Sequence, residues 1–365
     1  MKRIAALDSV RGIAALVVVL YHCSLVIPNV RESLEATYVL RPFVAGPEAV
    51  YVFFVLSGFV LYGVLAPETA PGYSSYAAKR LLRLWLPVAA AVLVSAVLYI
   101  LVRPTAVPGT SGWFVEKSWT EPPSLMNLAC HLALFNSDQY HQLDNPIWSL
   151  AHEIKISLIF PFVVLLVKRR PVATVIGACA ISIAAAMVPQ PAWLSDTFDP
   201  AGSLYYLFLF VAGAAIAARR EAITVFAASE IGRNLTRPVL LLSLILLCST
   251  ARTSAGYGVS AGAVILIGIS ATSPAIGQAL ERRVLVWLGR VSYSLYLVHI
   301  PILLMIVHLL GGVVPLPLLL ALVPIVSLGA AELFSRTVEQ PSLRLAARVG
   351  ARQALARAAH SPVAC

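Results

Sequence analysis

The stretch Leu7-Asp8-Ser9-Val10-Arg11-Gly12-Ile13-Ala14-Ala15-Leu16-Val17-Val18-Val19-Leu20-Tyr21-His22 decides how the rest of the chain is read. Lys2 and Arg3 precede its apolar part, as in a secretory signal peptide, and Cys23 follows where a lipoprotein would be cut. Cleavage requires small residues before the cut, and Tyr21 and His22 stand there instead, so the segment reads as a retained membrane span. Outward from it, apolar runs of about 15–22 residues recur as far as Leu333, separated by short charged or Pro/Gly-rich breaks. Of the 365 residues 59% are apolar and 12% charged, with a mean hydropathy of +0.85. Soluble proteins average about 45–50% and about 25%. This composition excludes a disordered chain and argues against a soluble enzyme. The expected fold is all-α, a polytopic integral membrane helical bundle.

Spans are expected at roughly 10–27, 49–65, 84–102, 146–167, 171–188, 203–218, 238–251, 259–273, 287–308 and 315–333, about ten transmembrane helices. The net charge of +10 does not point to nucleic acid, because the basic residues form small clusters between apolar runs rather than one soluble face. With a cytoplasmic N-terminus, 21 of the 27 Lys and Arg fall on the cytoplasmic side, which predicts both termini inside. Residues 1–341 then form the membrane domain and 342–365 a basic cytoplasmic tail. Arg344, Arg348, Arg352 and Arg357 suit that tail to an anionic inner leaflet. The longest break, Arg103 to Asn145, lies outside and carries Trp113, Trp119, His131, Asp138, His141 and Asp144. Its stretch Leu125 to Phe135 is too short to cross and reads as an interfacial or re-entrant helix. The five cysteines show no CxxC spacing, so neither a metal site nor a disulfide framework is implied.

Ionisable residues within spans cost several kcal/mol and mark functional sites by default. Arg11, His22, Glu153, Lys155 and His299 are the main cases. Arg11 and His22 are eleven residues apart, which places them on one helix face about 16 Å apart. Counting rise along three spans brings His22, Glu153 and His299 to a similar depth in the outer half. Blander readings stand beside these. Arg80 and Arg83 also serve as topogenic charges, and His299 as a core histidine bonded to a neighbouring helix. Trp148, Tyr293 and Tyr296 also serve as packing aromatics, and Ser57 and Gly58 as small residues that let two helices approach.

Together these residues resemble the membrane-bound acyltransferase family 3. Leu7 to Ala15 followed by Tyr21-His22 is similar to that family's Arg-x10-His first helix, and Phe53-Phe54-Val55-Leu56-Ser57-Gly58-Phe59 to its second. Lys79-Arg80-Leu81-Leu82-Arg83 resembles the basic start of its third helix, and Trp148-Ser149-Leu150-Ala151-His152-Glu153 its Trp-Ser-Leu-x-x-Glu motif. Leu288 to His299 is similar to its late Ser-Tyr helix, and Glu339-Gln340-Pro341 to its closing Glu-x-Pro. The resemblance implies an integral membrane O-acyltransferase of a bacterial cytoplasmic membrane. Members acetylate sugars of polysaccharides and other surface glycans, and some act on macrolides or other small molecules. Some members carry an extracytoplasmic hydrolase-like domain that handles the acceptor. The sequence ends at Cys365 without one, which leaves acceptor binding to the spans, the long outer segment or a partner protein.

The implied reaction is acyl transfer from acyl-CoA, in the first instance acetyl-CoA, to a hydroxyl of a glycan or small-molecule acceptor. A hydroxyl needs a positioned base, and His22 suits that role because imidazole titrates near the working pH. An acyl-histidine intermediate is the variant. Glu153 is expected to orient the His22 imidazole as the carboxylate does in a serine protease triad. Arg11, Arg80 and Arg83 suit the CoA phosphates, which guanidinium groups bind bidentately. Ser57, Trp148, Tyr293 and His299 are expected at the substrates. The rival from another class is a secondary transporter of an anion, since buried Arg, His and Glu also mark ion pathways. A third reading is a receptor or scaffold without chemistry.

Overall fold

A computed structural model describes residues 4–134, 140–189, 199–248 and 256–360, and among the described residues every regular element is helical. Asp138 lies outside the described residues. Two helix crossings set the frame. α1 (Ala5–Ser24) packs along α15 (Arg283–Leu310), and α3 (Gly46–Leu65) along α10 (Pro200–Ala218). At the first crossing Gly12 and Gly289 bring the backbones into contact: a β-carbon on Gly289 would lie 2.1 Å from the Asp8 carbonyl oxygen. At the second, a β-carbon on Gly58 would lie 1.9 Å from the Phe210 carbonyl oxygen. Without a hydrophobic effect between helices in lipid, such close backbone packing is what holds a membrane bundle together. The small-residue reading of Gly58 is therefore the structural one.

α4 (Tyr73–Val102) and α8 (Ile147–Arg169) pack beside this frame, and α16 (Leu316–Phe334) packs on α15. A π-helical turn, Ser335–Glu339, leads from α16 into α17 (Gln340–His360), which packs against the start of α4. The start of α17 and the helix segments bearing Arg11, Arg80, Arg83 and Arg290 gather at what we call the basic end of the bundle. Between α4 and α8 run α5 (Gly112–Lys117), α6 (Leu125–Ala133) and a single turn, Tyr140–Leu143. The Trp85 indole N–H donates to the Leu132 carbonyl at 2.6 Å, so α6 lies alongside the middle of α4. This agrees with the short helix expected from Leu125 onward.

Of the ten expected spans, seven or eight are supported. Helices occur at all ten positions, but among the described residues only seven are long and apolar enough to cross. An eighth results if α13 (Tyr257–Thr272) and α14 (Pro274–Leu280), which meet at 90°, form one broken span. The remaining two fail for physical reasons. α9 (Pro171–Met187) has 17 residues, about 26 Å of rise against a hydrocarbon core of about 30 Å. α12 (Glu230–Leu247) carries Glu230, Arg233 and Arg237 in its first half. Hydropathy alone counts apolar runs, whereas crossing also needs uninterrupted helix length.

Candidate functional site

The site forms where α1, α3, α4, α8 and α15 face one another, and it consists of successive cavities with shared walls. The central cavity is lined by Arg11, Ser57, Arg80, Arg83, Ser149, Glu153, Ser292, Tyr293, Tyr296 and Glu339. The structure thus brings together the three arginines expected from the sequence, and Ser57, Tyr293 and Glu153 with them. They do different work. Arg11 donates to the Ser292 hydroxyl at 2.9 Å and to the Gly289 carbonyl at 2.7 Å, and lies 3.4 Å from the Asp8 carboxylate, so it clamps α1 to α15 beside the glycine crossing. Arg80 is buried and pairs with Glu153 at 2.6 Å, and the Ser57 hydroxyl donates to the same carboxylate oxygen at 2.9 Å. Arg83 has no hydrogen-bond or ion-pair partner among the described residues, and its side chain is open to the cavities it lines.

Glu153 is therefore held by Arg80 and Ser57, and among the described residues no bond joins it to His22. His22 and His299 meet, whereas Glu153 meets Arg80, because α4 begins at Tyr73, eleven residues before the span expected from 84. Arg80 consequently lies about 10 Å inside the helix rather than at its end, within reach of α8. Lys155, two residues on and so near the opposite face of α8, interacts with Asp199 just before α10 and lines none of the cavities described here.

Beyond the central cavity, on the side away from the basic end, lies a pocket of about 250 Å³. Val50 and Tyr296 belong to the walls of both. It is lined by His22, Tyr21, Trp113, Trp148, Asn145 and Tyr296 among smaller apolar residues, and among the described residues no Lys, Arg, Asp or Glu lines it. The His22 and His299 rings lie 5.0 Å apart, with His299 Nε2 3.2 Å from His22 Nδ1. Trp113 covers the other side of His22 at 5.7 Å. The Tyr296 hydroxyl bonds Ser149 at 2.7 Å, and the Tyr293 hydroxyl donates to the Leu84 carbonyl at 2.7 Å.

Toward the basic end the central cavity shares walls with two vestibules. One, of about 640 Å³, is lined by Lys79, Arg80 and Arg83 with residues 69–72, Ser75, Tyr76 and Gly350 of α17, and carries no acid. The other is lined by Arg11, Arg83 and Arg290 but also by Asp8 and Glu339. Sequence reasoning did not single out Ser292, Tyr21, Asn145 or Lys79 at the site. Glu339, quoted only within the Glu-x-Pro motif, is carried by the π-helical turn and accepts a 2.6 Å bond from Ser294.

Cationic vestibules, a polar cavity and an imidazole pocket thus succeed one another inside a bundle of apolar helices. The chain belongs to the Acyl_transf_3 acyltransferase family, whose domain model matches residues 4–335. It is similar to acyltransferase MdmB of Streptomyces mycarofaciens, with 28% identity over 197 residues. That match covers 52% of this chain and 46% of the relative, so the chain spans about half the length of the curated relative it matches. No solved structure matches.

Proposed function

We propose that this protein transfers an acyl group, acetyl in the first instance, from acyl-CoA to a hydroxyl of a glycan or small-molecule acceptor. The observation that carries this reading is the succession of cavities from unpaired Arg83 to His22, which follows the roughly 16 Å rise from Arg11 to His22 along α1. An extended pantetheine arm is of that order. The vestibule of Lys79, Arg80 and Arg83 suits the phosphates better than its neighbour, which Asp8 and Glu339 make partly anionic. The pocket around His22 offers Trp113 and Trp148 to the face of an acceptor, and its lack of charged walls suits a neutral hydroxyl compound.

His22 takes the hydroxyl proton as the oxygen attacks the thioester carbon. The sulfur leaves with the bonding pair and receives that proton from the imidazolium, giving an ester and free CoA. Membership of an acyltransferase family supports this over transport of an anion. The protein then resides in a bacterial cytoplasmic membrane with both termini inside, and a cytoplasmic donor serves an acceptor on the opposite face.

The test compares glycans and extracted small molecules by mass spectrometry from cells expressing wild type or His22→Ala at equal membrane abundance. An acetylated species present only with the wild type is expected, since loss of a general base costs about 10²–10⁴-fold. The same species at the same level in both strains removes His22 from the mechanism. In sealed vesicles, transfer that requires donor and acceptor on one face refutes the through-membrane step while leaving acyl transfer in place.

A further inference from the structure

The two imidazoles that meet between α1 and α15 fix each other's protons. His299 Nδ1 lies 3.1 Å from the Leu295 carbonyl, one turn back on its own helix. A carbonyl only accepts, so this nitrogen carries the N–H, and a neutral imidazole has one N–H and one lone pair. The lone pair of His299 is then on Nε2, which lies 3.2 Å from His22 Nδ1. His22 Nδ1 also lies 2.9 Å from the Val18 carbonyl. Both neighbours of that nitrogen are acceptors, so it is the protonated one and shares its hydrogen between them. His22 Nε2 is left with the lone pair.

We propose that His299 is the positioning residue of the reaction, holding His22 in the tautomer whose Nε2 accepts the acceptor's proton. The inference rests on the reading of His22 as the base. His299 does not line the central cavity or the pocket, so it acts through His22 and not on either substrate. It fills the place first expected for Glu153, with a different consequence. A carboxylate would stabilise the imidazolium and retain its proton, whereas a neutral lone pair steadies the ring and lets the proton pass readily to the departing thiolate.

Among the described residues no Lys, Arg, Asp or Glu lines the pocket around His22. Tyr21 comes from α1, Trp113 from α5, Asn145 and Trp148 from the start of α8, and Tyr296 from α15, while α3 offers Gly46, Pro47 and Val50. Outside that pocket, Arg31, Glu48 and Glu35 act on Tyr21, and Asp144 and Glu153 on Tyr296.

The experiment follows transfer of labelled acetyl from acetyl-CoA into the membrane or extract fraction that the wild type labels, across pH, for three variants. In His299→Gln the amide oxygen stands where Nε2 was and accepts from His22, so kcat stays within about tenfold of wild type. In His299→Leu only the Val18 carbonyl is left to hold that hydrogen and the ring loses its lateral support, so kcat falls more than about tenfold, while KM for acetyl-CoA is unchanged. In His299→Glu the acid limb of the pH profile moves about one unit or more to higher pH, because a carboxylate favours the imidazolium.

Wild-type rate and profile in His299→Leu overturn the proposal, as does a His299→Gln variant no better than His299→Leu. If the leucine variant fails to insert, an unmoved acid limb in His299→Glu overturns it alone. A fully active His22→Ala sinks the parent reading instead; an essential His22 with an indifferent His299→Leu sinks only this one.

Discussion

Arg83→Ala should separate a phosphate ligand from a structural charge. Arg80 is neutralised by Glu153, and Arg11 is held by Ser292, Gly289 and Asp8, whereas Arg83 faces the cavities without a partner. Removing it breaks no internal bond, so insertion and thermal stability should match wild type. A hydrogen bond to a charged group contributes about 1.5–3 kcal/mol, which corresponds to roughly 10- to 150-fold in affinity. KM for acetyl-CoA should therefore rise by roughly that factor. S-acetylpantetheine keeps the thioester and the arm but lacks the nucleotide phosphates, so its KM should be the same in both proteins. Initial rates with both donors, on purified protein in detergent or nanodiscs, read this directly. Equal KM changes for the two donors, or none for acetyl-CoA, would refute the phosphate assignment.

Glu153→Gln leaves Arg80 charged and buried without its carboxylate, and should cost about 3–5 kcal/mol of stability, seen as a lower unfolding midpoint. The double variant with Arg80→Gln should regain most of it; a double variant worse than the single refutes the pairing. Gly289→Ala should lower the midpoint by overpacking the crossing with Asp8, about 1–3 kcal/mol, while Gly268→Ala, which meets nothing within 4 Å, should not; equal effects would dissolve the argument. Asp144, just before α8, is buried with neither carboxylate oxygen bonded among the described residues, and burial holds its carboxyl well above the usual carboxylate range. The unfolded chain ionises it first, so the folded state is penalised as pH rises. Asp144→Asn should thus raise the midpoint at pH 7, with the gain vanishing below about pH 4. A gain that does not vary with pH contradicts this account.

The imidazole pair was legible because rise per residue is fixed: an eleven-residue interval from Arg11 and a count along the later helix put His22 and His299 at one height. Height says nothing about where around a helix a side chain points, or where the neighbouring helix begins. The Arg80–Glu153 pair was not legible for that reason: about three turns of polar sequence at the start of α4, Tyr73 to Arg83, are excluded from a span by hydropathy although they are helical. Trp113 was noted only as part of an outer segment, since no periodicity reports which pocket a loop aromatic will cover. The shortfall of α9 and α12 has the opposite origin: apolar composition without the length or the uncharged window to use it.

The docking of α17 on α4 has a practical consequence. The Ser75 hydroxyl donates to the Gly350 carbonyl at 3.4 Å, and the Lys79 side chain passes so close over Gly350 that a β-carbon there would collide with it. Reporter fusions made by truncating the chain at the end of the family motif would strip this support from Lys79, and would report on a bundle whose acid-free vestibule has lost a wall. Insertion of a reporter after an intact α17, or cysteine labelling in the full-length chain, keeps the architecture that topology mapping is meant to measure.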